Sequence, residues 1–284
     1  MMLCGKAYAR VTLALDIEGT VLSGPYRGFR RLRVVKHQVD LADEVKVESA
    51  SRMEIRCEQE AVPRDSRNLC WRAVESLRNE FGIEENVRIT LVKRIPMQGG
   101  LAGGSADAAE VLRLCNEFWH LGLNTRGLAG IGRRIGMDIP FGFAGFTALD
   151  IEADGEPEPV HTRLELIFVL LFPPFGVSTP AAYEALDYTA INRNSRKTSR
   201  MIDALERDER DVVVEMIHND FEPPVFGMYP RLSEYARELQ RLGCPRPFLS
   251  GSGSTLGAVV EDEERGREIV EAMKLPGVVV RTRR

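Results

Sequence analysis

Residues 96–109 of the 284-residue chain read PMQGGLAGGSADAA, in which the glycines are Gly99, Gly100, Gly103 and Gly104. Glycine reaches backbone conformations closed to other residues, and it lets an anion approach backbone N–H groups without meeting a Cβ. Alternating apolar residues over 87–91 predict a strand before this segment, and an apolar stripe over 105–119 predicts a helix after it. A strand, a glycine loop and the free N–H groups of a helix N-terminus form an arrangement typical of phosphate binding.

Two well-known phosphate motifs do not account for this segment. No Gly-Lys-Ser/Thr follows the glycines, which excludes a Walker A loop, and the G-x-G-x-x-G spacing of dinucleotide-binding proteins is absent. A plainer alternative is a flexible turn, with Ser105 capping the helix and Asp107 balancing the helix dipole. We favour a phosphate site and predict that these residues line it: Pro96, Gly99, Gly100, Leu101, Ala102, Gly103, Gly104 and Ser105.

The composition excludes several other classes of protein. A net charge of -4 argues against a nucleic-acid footprint spread over the whole surface. The longest apolar run, residues 166–172, is too short to span a membrane and predicts a buried strand. The five cysteines contain no CxxC pair and the four histidines have no ligand spacing, so we expect no zinc or other protein-built metal site. Scattered thiols favour the reducing cytoplasm.

The apolar pattern predicts strands and helices along the whole chain. In the first half we expect strands at 8–17 and at 34–47, the latter interrupted near 41–43, helices at 68–81 and 128–135, and a strand towards residue 150. In the second half we expect strands at 166–172, 255–260 and 278–282 and helices near 180–186, 199–206, 230–242 and 263–273. The acidic, Pro/Gly-containing stretch 151–159 between the halves predicts a boundary between domains at 1–155 and 156–284.

Three stretches together give a specific family resemblance. Residues 9–15 (ARVTLAL), 96–109 and 249–254 (LSGSGS) resemble, in order, the three motifs that surround the ATP phosphates in the GHMP kinase superfamily. This resemblance implies an α+β protein with the two-domain GHMP kinase fold. Its N-terminal domain would resemble domain 2 of ribosomal protein S5, and its C-terminal domain would be ferredoxin-like.

Within the superfamily, the chain resembles most the kinases that act on 4-diphosphocytidyl-2-C-methyl-D-erythritol in non-mevalonate isoprenoid biosynthesis. Stretches 41–45, 136–141, 176–180 and 219–222 add to this similarity. It implies a cytoplasmic transferase that binds ATP and Mg²⁺ and phosphorylates the alcohol group of that small molecule. We expect no nucleic-acid or membrane partner, and the sequence leaves open whether the chain forms a homodimer.

The resemblance also assigns catalytic residues. Asp138 occupies the position of the family's aspartate, which takes the proton of the acceptor hydroxyl. Arg10 stands where the family has a lysine, and Thr12 where it has an asparagine. Arginine is a donor only and keeps its charge, so Arg10 either stabilises charge at the phosphates or is a structural ion-pair partner of Asp138.

On the acceptor side the chain departs further from the family. Phe29 and Arg30 replace a tyrosine and a histidine that hold the cytosine, and Tyr183 matches a second aromatic residue that flanks the base. We predict an acceptor site formed by Thr12, Phe29, Arg30, Tyr183, Ser250, Gly251 and Ser252. The arginines Arg27, Arg30, Arg31 and Arg33 either bind a diphosphate or form a solvated strand edge.

These departures leave two rival hypotheses. The chain is either a divergent paralogue that phosphorylates another small alcohol, or a nucleotide-binding protein without catalysis. His218, which precedes Asn219 and Asp220, is interpreted as a surface residue at a helix end.

Overall fold

The computed structural model describes residues 1–22, 27–28, 30–151, 155–189, 191 and 193–283. Its strands are β1 Met2–Thr20, β2 Arg30–Ala50, β3 Glu54–Cys57, β4 Asn86–Val92, β5 Thr147–Ile151, β6 Glu158–Pro159, β7 Ile167–Leu171, β8 His218–Asn219, β9 Phe248–Leu249, β10 Leu256–Val260 and β11 Gly277–Arg281. Its helices are α1 Leu69–Phe81, α2 Gly103–Phe118, α3 Thr125–Ile135, α4 Thr179–Glu184, α5 Ser195–Glu206, α6 Arg210–Met216, α7 Glu222–Met228, α8 Pro230–Arg241 and α9 Glu263–Met273, with a 3₁₀ helix at Ile139–Phe143. This confirms the predicted α+β class.

The chain forms two compact units that interleave along the sequence. The first comprises Met1–Ala9, Leu41–Met97 and Ala102–Gly145, and the second comprises Arg10–Asp40, Gln98–Leu101 and Phe146–Arg284. The long strands β1 and β2 contribute one part to each unit. The division into domains at 1–155 and 156–284 stays a prediction.

In the first unit, a sheet with strand order β3-β4-β2-β1 packs against α1, α2 and α3. The apolar stripes of these helices meet the sheet in one core, which includes Leu77, Ile89 and Val111. Helix α1 ends as its sequence predicted, because Gly82 adopts a left-handed φ of 65° and donates its N–H to the last turn. Helix α2 begins at Gly103, two residues before the predicted start.

The interruption predicted in the strand near residues 41–43 is wrong, because β2 runs unbroken from Arg30 to Ala50. Asp43 is the polar residue that suggested the break, yet it is fully buried inside the strand. Its carboxylate accepts hydrogen bonds from the backbone N–H groups of Arg94 and Ile95 and from the ammonium of Lys93. A buried carboxylate is tolerated when it is paired and hydrogen-bonded in this way.

In the second unit, an antiparallel sheet with strand order β11-β7-β10-β9 carries helices α8 and α9. Strand β7 is the predicted buried strand, and α9 spans the predicted residues. The unit also contains β5, β6 and β8 with its parts of β1 and β2. All five cysteines are free thiols. Within the described ranges, no helix is both long and apolar enough to cross a membrane.

Candidate active site

The second unit brings the first glycines of the loop against the Ser/Gly loop, residues 250–254. Gly100 has a φ of 74°, and a Cβ built on it would lie 1.9 Å from the backbone oxygen of Ser250, so only glycine fits here. Ser250 Oγ donates to the carbonyl oxygen of Gly100 at 2.9 Å, and the N–H of Thr255 donates to the carbonyl oxygen of Gly99 at 3.2 Å. Two stretches that are 150 residues apart in sequence therefore form one local structure.

Arg10 and Thr12, on β1, join the same structure. The backbone N–H of Arg10 donates to the carbonyl oxygen of Leu101 at 3.1 Å. Its Nη1 donates to the carbonyl oxygen of Gly100 at 3.2 Å and to Thr12 Oγ1 at 2.7 Å. Thr12 is 1% exposed and also accepts the N–H of Gly251 at 3.2 Å. The guanidinium of Arg10 is thus positioned beside both loops.

Residues 219–222 hold the Ser/Gly loop from another direction. Asn219 Nδ2 donates to the carbonyl oxygens of Leu249 and Gly251 at 2.8 and 2.7 Å. Asp220 Oδ2 accepts the N–H of Ile17 at 2.9 Å, which ties the segment to β1. Glu222 is half-buried, and its removal from water raises the pKa of its carboxyl, which accepts the N–H of Leu249 at 3.2 Å.

The later glycines lie in the first unit, where they open helix α2. Ala102 precedes the helix in a left-handed conformation, and among the described residues no side chain caps the helix start. A Cβ on Gly103 would lie 2.9 Å from Ile95, so this glycine allows close packing, whereas a Cβ on Gly104 would meet no described atom within 4 Å. The first turn of α2 therefore has N–H groups without a side-chain cap, next to an exposed glycine.

Asp138 lies in the first unit, immediately before the 3₁₀ helix Ile139–Phe143. Ile139 is fully buried against α3, where a Cβ on Gly132 would lie 2.6 Å from its side chain. On the other side, Gly142 packs so closely on Ala109 of α2 that its own Cβ would lie 2.5 Å away. The half-buried Asp138 is thus held by a segment wedged between α3 and α2.

Comparison with known proteins decides the family. The model of the GHMP kinases N terminal domain matches residues 68–146, and that of GHMP kinases C terminal matches residues 201–278. The chain is 34% identical to 4-diphosphocytidyl-2-C-methyl-D-erythritol kinase of Shouchella clausii over 271 residues, which cover 95% of this chain and 89% of that protein. The chain belongs to the GHMP kinase family.

Two further comparisons place this GHMP kinase within the family. It is 32% identical to 4-diphosphocytidyl-2-C-methyl-D-erythritol kinase of Clostridium botulinum over 274 residues, which cover 95% of both chains. A crystal structure of 4-(cytidine 5'-diphospho)-2C-methyl-D-erythritol kinase superposes with a TM-score of 0.81 at 26% identity, covering 99% of this chain and all of that one. The two-domain GHMP kinase fold predicted from the motifs is confirmed.

A buried charge cluster in the kinase's first unit was not found by sequence reasoning. The ammonium of Lys93 donates to Asp43 and, at 2.5 Å, to Asp107. Burial raises the pKa of Asp107 to about 7, although Lys93 opposes this shift. Burial lowers the pKa of Lys93, but the two carboxylates outweigh it and raise the value above normal. Asp107 therefore pairs with Lys93 rather than balancing the helix dipole from the surface.

A groove of about 760 Å³ opens beside this cluster, also in the first unit. Its walls combine apolar side chains of β3, β4 and α1, including Ile55, Trp71 and Leu91, with Gln59 from the loop after β3, and Lys93 also lines it. Lys93 Nζ also lies 3.5 Å from where a Cβ of Gly103 would be. The groove and the start of α2 thus share one side chain.

The predicted acceptor residues are only partly described. Phe29 lies outside the described residues. The guanidinium of Arg30 lies 4.4 Å from the ring centre of Tyr188 and donates to Thr20, and Tyr183 packs edge-on against Phe221 at 4.9 Å. Ser252 Oγ lies 2.8 Å from Thr179 Oγ1. Tyr188 was not predicted, since nothing in its local sequence suggests a stacked arginine.

Among the other arginines of this segment, Arg31 pairs with Glu18 at 3.3 Å and Arg33 donates to Ser199 at 3.3 Å. Two of the four guanidiniums therefore bind side chains of β1 and α5. A diphosphate site formed by these arginines stays a prediction.

The interpretation of His218 as a surface residue is wrong, because this residue is 2% exposed. Its Nδ1 faces the carbonyl oxygen of Met216 at 2.8 Å, and its Nε2 lies 3.0 Å from Asp16. Thr198 donates to the same carboxylate at 2.5 Å. The partner Asp16 is 202 residues away in sequence, so the local pattern could not reveal the burial.

Proposed function

We propose that this GHMP kinase transfers the γ-phosphoryl group of ATP to the alcohol of 4-diphosphocytidyl-2-C-methyl-D-erythritol, in non-mevalonate isoprenoid precursor biosynthesis. The similarity to kinases of that name over nearly the whole chain supports the substrate. The single structural observation that carries the proposal is the start of α2, which no described side chain caps and where a Cβ on the exposed Gly104 would meet no described atom within 4 Å. Such a helix start favours an anionic ligand.

ATP would lie with its phosphates along Pro96 and residues 99–105. Bound ATP supplies the phosphoryl group that is transferred. The groove beside Lys93 is our candidate for the adenine, since it offers apolar walls with polar edges and leads to the start of α2. Mg²⁺ would be held mainly by phosphate oxygens and water, as this ion prefers.

The catalytic work falls to Asp138 and Arg10. The carboxylate of Asp138 would accept the proton of the acceptor hydroxyl as the hydroxyl oxygen bonds to the γ-phosphorus. The bond between the γ-phosphorus and the bridging oxygen would break at the same time and release ADP, so that no covalent enzyme intermediate is needed. Arg10, positioned beside Gly100, would stabilise the developing negative charge. Because a guanidinium stays protonated, Arg10 cannot itself accept the hydroxyl proton.

The acceptor would be bound by Thr12, Phe29, Arg30, Tyr183, Ser250, Gly251 and Ser252. Stacking surfaces near Tyr183 and the guanidinium of Arg30 suit a nucleobase and a diphosphate. An ATP-dependent enzyme with five free thiols is expected to work in the cytoplasm.

An ADP-release assay over a panel of acceptor alcohols, with ATP and Mg²⁺, tests this proposal. We expect turnover with 4-diphosphocytidyl-2-C-methyl-D-erythritol and a product one phosphate heavier by mass spectrometry. Turnover with another alcohol, and none with the cytidine compound, would show that the chain is a divergent paralogue with a different acceptor. The position of Arg30 over the ring of Tyr188 favours this rival. Tight ATP binding with no turnover on any acceptor would instead indicate a non-catalytic nucleotide-binding protein.

A further inference from the structure

The peptide groups on either side of Gly251 are held by side chains from two distant segments. Its N–H donates to Thr12 Oγ1 at 3.2 Å, and its carbonyl oxygen accepts from Asn219 Nδ2 at 2.7 Å. Gly251 has a φ of 57°, a conformation that glycine reaches without strain. Both side chains are buried, since Thr12 is 1% and Asn219 4% exposed. The Ser/Gly loop is therefore fixed at its second residue.

Thr12 is the junction of this arrangement. A threonine hydroxyl has two acceptor sites, and those of Thr12 are taken by Gly251 and by Nη1 of Arg10 at 2.7 Å. The same Nη1 donates to the carbonyl oxygen of Gly100, which also accepts Ser250 Oγ. A continuous chain of hydrogen bonds thus runs from the Ser/Gly loop through Thr12 and Arg10 to the glycine segment.

Asn219 completes the arrangement with no unused amide group. Its Nδ2 donates to Leu249 and Gly251, and its Oδ1 accepts the N–H of Phe221 at 2.9 Å. An asparagine amide has two N–H groups and one oxygen, so all of its groups serve to hold backbone. Residues 219–222 belong to the stretches that resemble the family, but the resemblance gave them no role. These hydrogen bonds give Asn219 one.

We propose that Thr12 and Asn219 are positioning residues for the ATP phosphates: they clamp Gly251 so that the Ser/Gly loop and the Gly99–Leu101 segment present their donors in one fixed arrangement. The inference rests on the proposed ATP-dependent function. It reassigns Thr12 from direct substrate contact to holding the loop. Donors that are fixed before the ligand arrives bind it more tightly, because less loop entropy is lost on binding.

The test compares two Thr→Val substitutions in the full-length protein. Thr12→Val removes the bridging hydroxyl at nearly constant volume. Thr147→Val is the matched control: Thr147 is 2% exposed in the same unit, and its Oγ1 lies 2.8 Å from His37 Nδ1, so this change also removes one buried hydroxyl but one that contacts neither loop. Affinity is measured by fluorescence with N-methylanthraniloyl-ATP and Mg²⁺, KM and kcat by ADP release, and folding by thermal melting.

We expect Thr12→Val to weaken nucleotide binding and raise KM for ATP about tenfold, as for one buried hydrogen bond, with a smaller effect on kcat. Thr12→Ser should restore both values, and Thr147→Val should leave them unchanged. Asn219→Asp gives a second test, because it keeps the acceptor for Phe221 but turns the donor that faces two carbonyl oxygens into an acceptor. It should weaken binding by at least as much.

Equal nucleotide affinity of Thr12→Val and Thr147→Val would overturn the inference while leaving the kinase proposal standing. If Thr12→Val and Asn219→Asp both failed to fold, the two residues would serve overall stability and the inference would also be wrong. A wild-type protein that does not bind the nucleotide at all would instead contradict the proposed function.

Discussion

At the scale of single residues, Asp138 shows how far an interpretation depends on context. An aspartate before a proline-containing turn is commonly a turn residue, and only the family resemblance suggested a catalytic base. The structure adds that the turn is rigid, because Ile139 and Gly142 pack it between two helices. A base held in this way can meet a hydroxyl in one defined geometry.

Asp138→Asn keeps the size of the side chain and removes its basicity. We expect kcat to fall about a thousandfold, because general-base catalysis typically contributes two to four orders of magnitude, while nucleotide affinity changes less than about threefold. ADP release and fluorescence titration measure the two quantities. The surface variant Asp40→Asn serves as control. If Asp138→Asn retained more than about a tenth of the wild-type kcat, Asp138 would not be the general base.

At the scale of elements, β2 depends on contacts that local sequence does not encode. Its central His37 is fully buried, with Nδ1 2.8 Å from Thr147 on β5 and Nε2 2.9 Å from Thr282 after β11. Burial lowers the pKa of His37 from 6.5 to about 4. Between these values the unfolded chain binds a proton that the folded chain excludes. Stability is therefore complete above about pH 6.5 and is lost as pH falls towards 4.

This shift corresponds to roughly 3 kcal/mol of unfolding free energy lost between pH 6.5 and 4. Urea unfolding of the wild type and of His37→Gln at several pH values isolates the effect, since both share every other titrating group. The variant should be less stable at pH 7 but should lose less stability on acidification. Parallel curves for the two proteins would show that His37 does not titrate as described.

Elements defined by local sequence signals could be predicted, and elements that depend on contacts between distant residues could not. Helix α1 is defined by local signals, an Asn68 side chain that accepts the N–H of Cys70 and a left-handed Gly82, and it was predicted correctly at its end. The continuity of β2 could not be predicted, because Asp43 is stabilised by Lys93, 50 residues later in the chain. Short elements such as β3 and β8 carry too few residues for a periodic pattern.

At the scale of the whole molecule, the sequence predicted the family and the α+β fold correctly, and it predicted the contacts of single residues less well. Four glycines suggested one role, yet Gly100 packs against the backbone of Ser250 and Gly103 against the side chain of Ile95, whereas a Cβ on Gly104 would meet no described atom within 4 Å. The pairing of Lys93 with Asp107 could not be predicted, because an ion pair between a strand end and a helix has no sequence signature. The proposed phosphate site thus depends on a small part of the glycine segment.

Nucleotide affinity of Gly104→Ala, compared with Gly130→Ala, tests that claim most directly. Both glycines lie in helices, and a Cβ on either meets no described atom within 4 Å, so both substitutions should raise the melting temperature slightly. If ATP phosphates approach the start of α2, the methyl group at position 104 should weaken N-methylanthraniloyl-ATP binding at least tenfold, while Gly130→Ala binds as the wild type does. Unchanged affinity in Gly104→Ala would contradict the account, since the phosphates would then lie elsewhere.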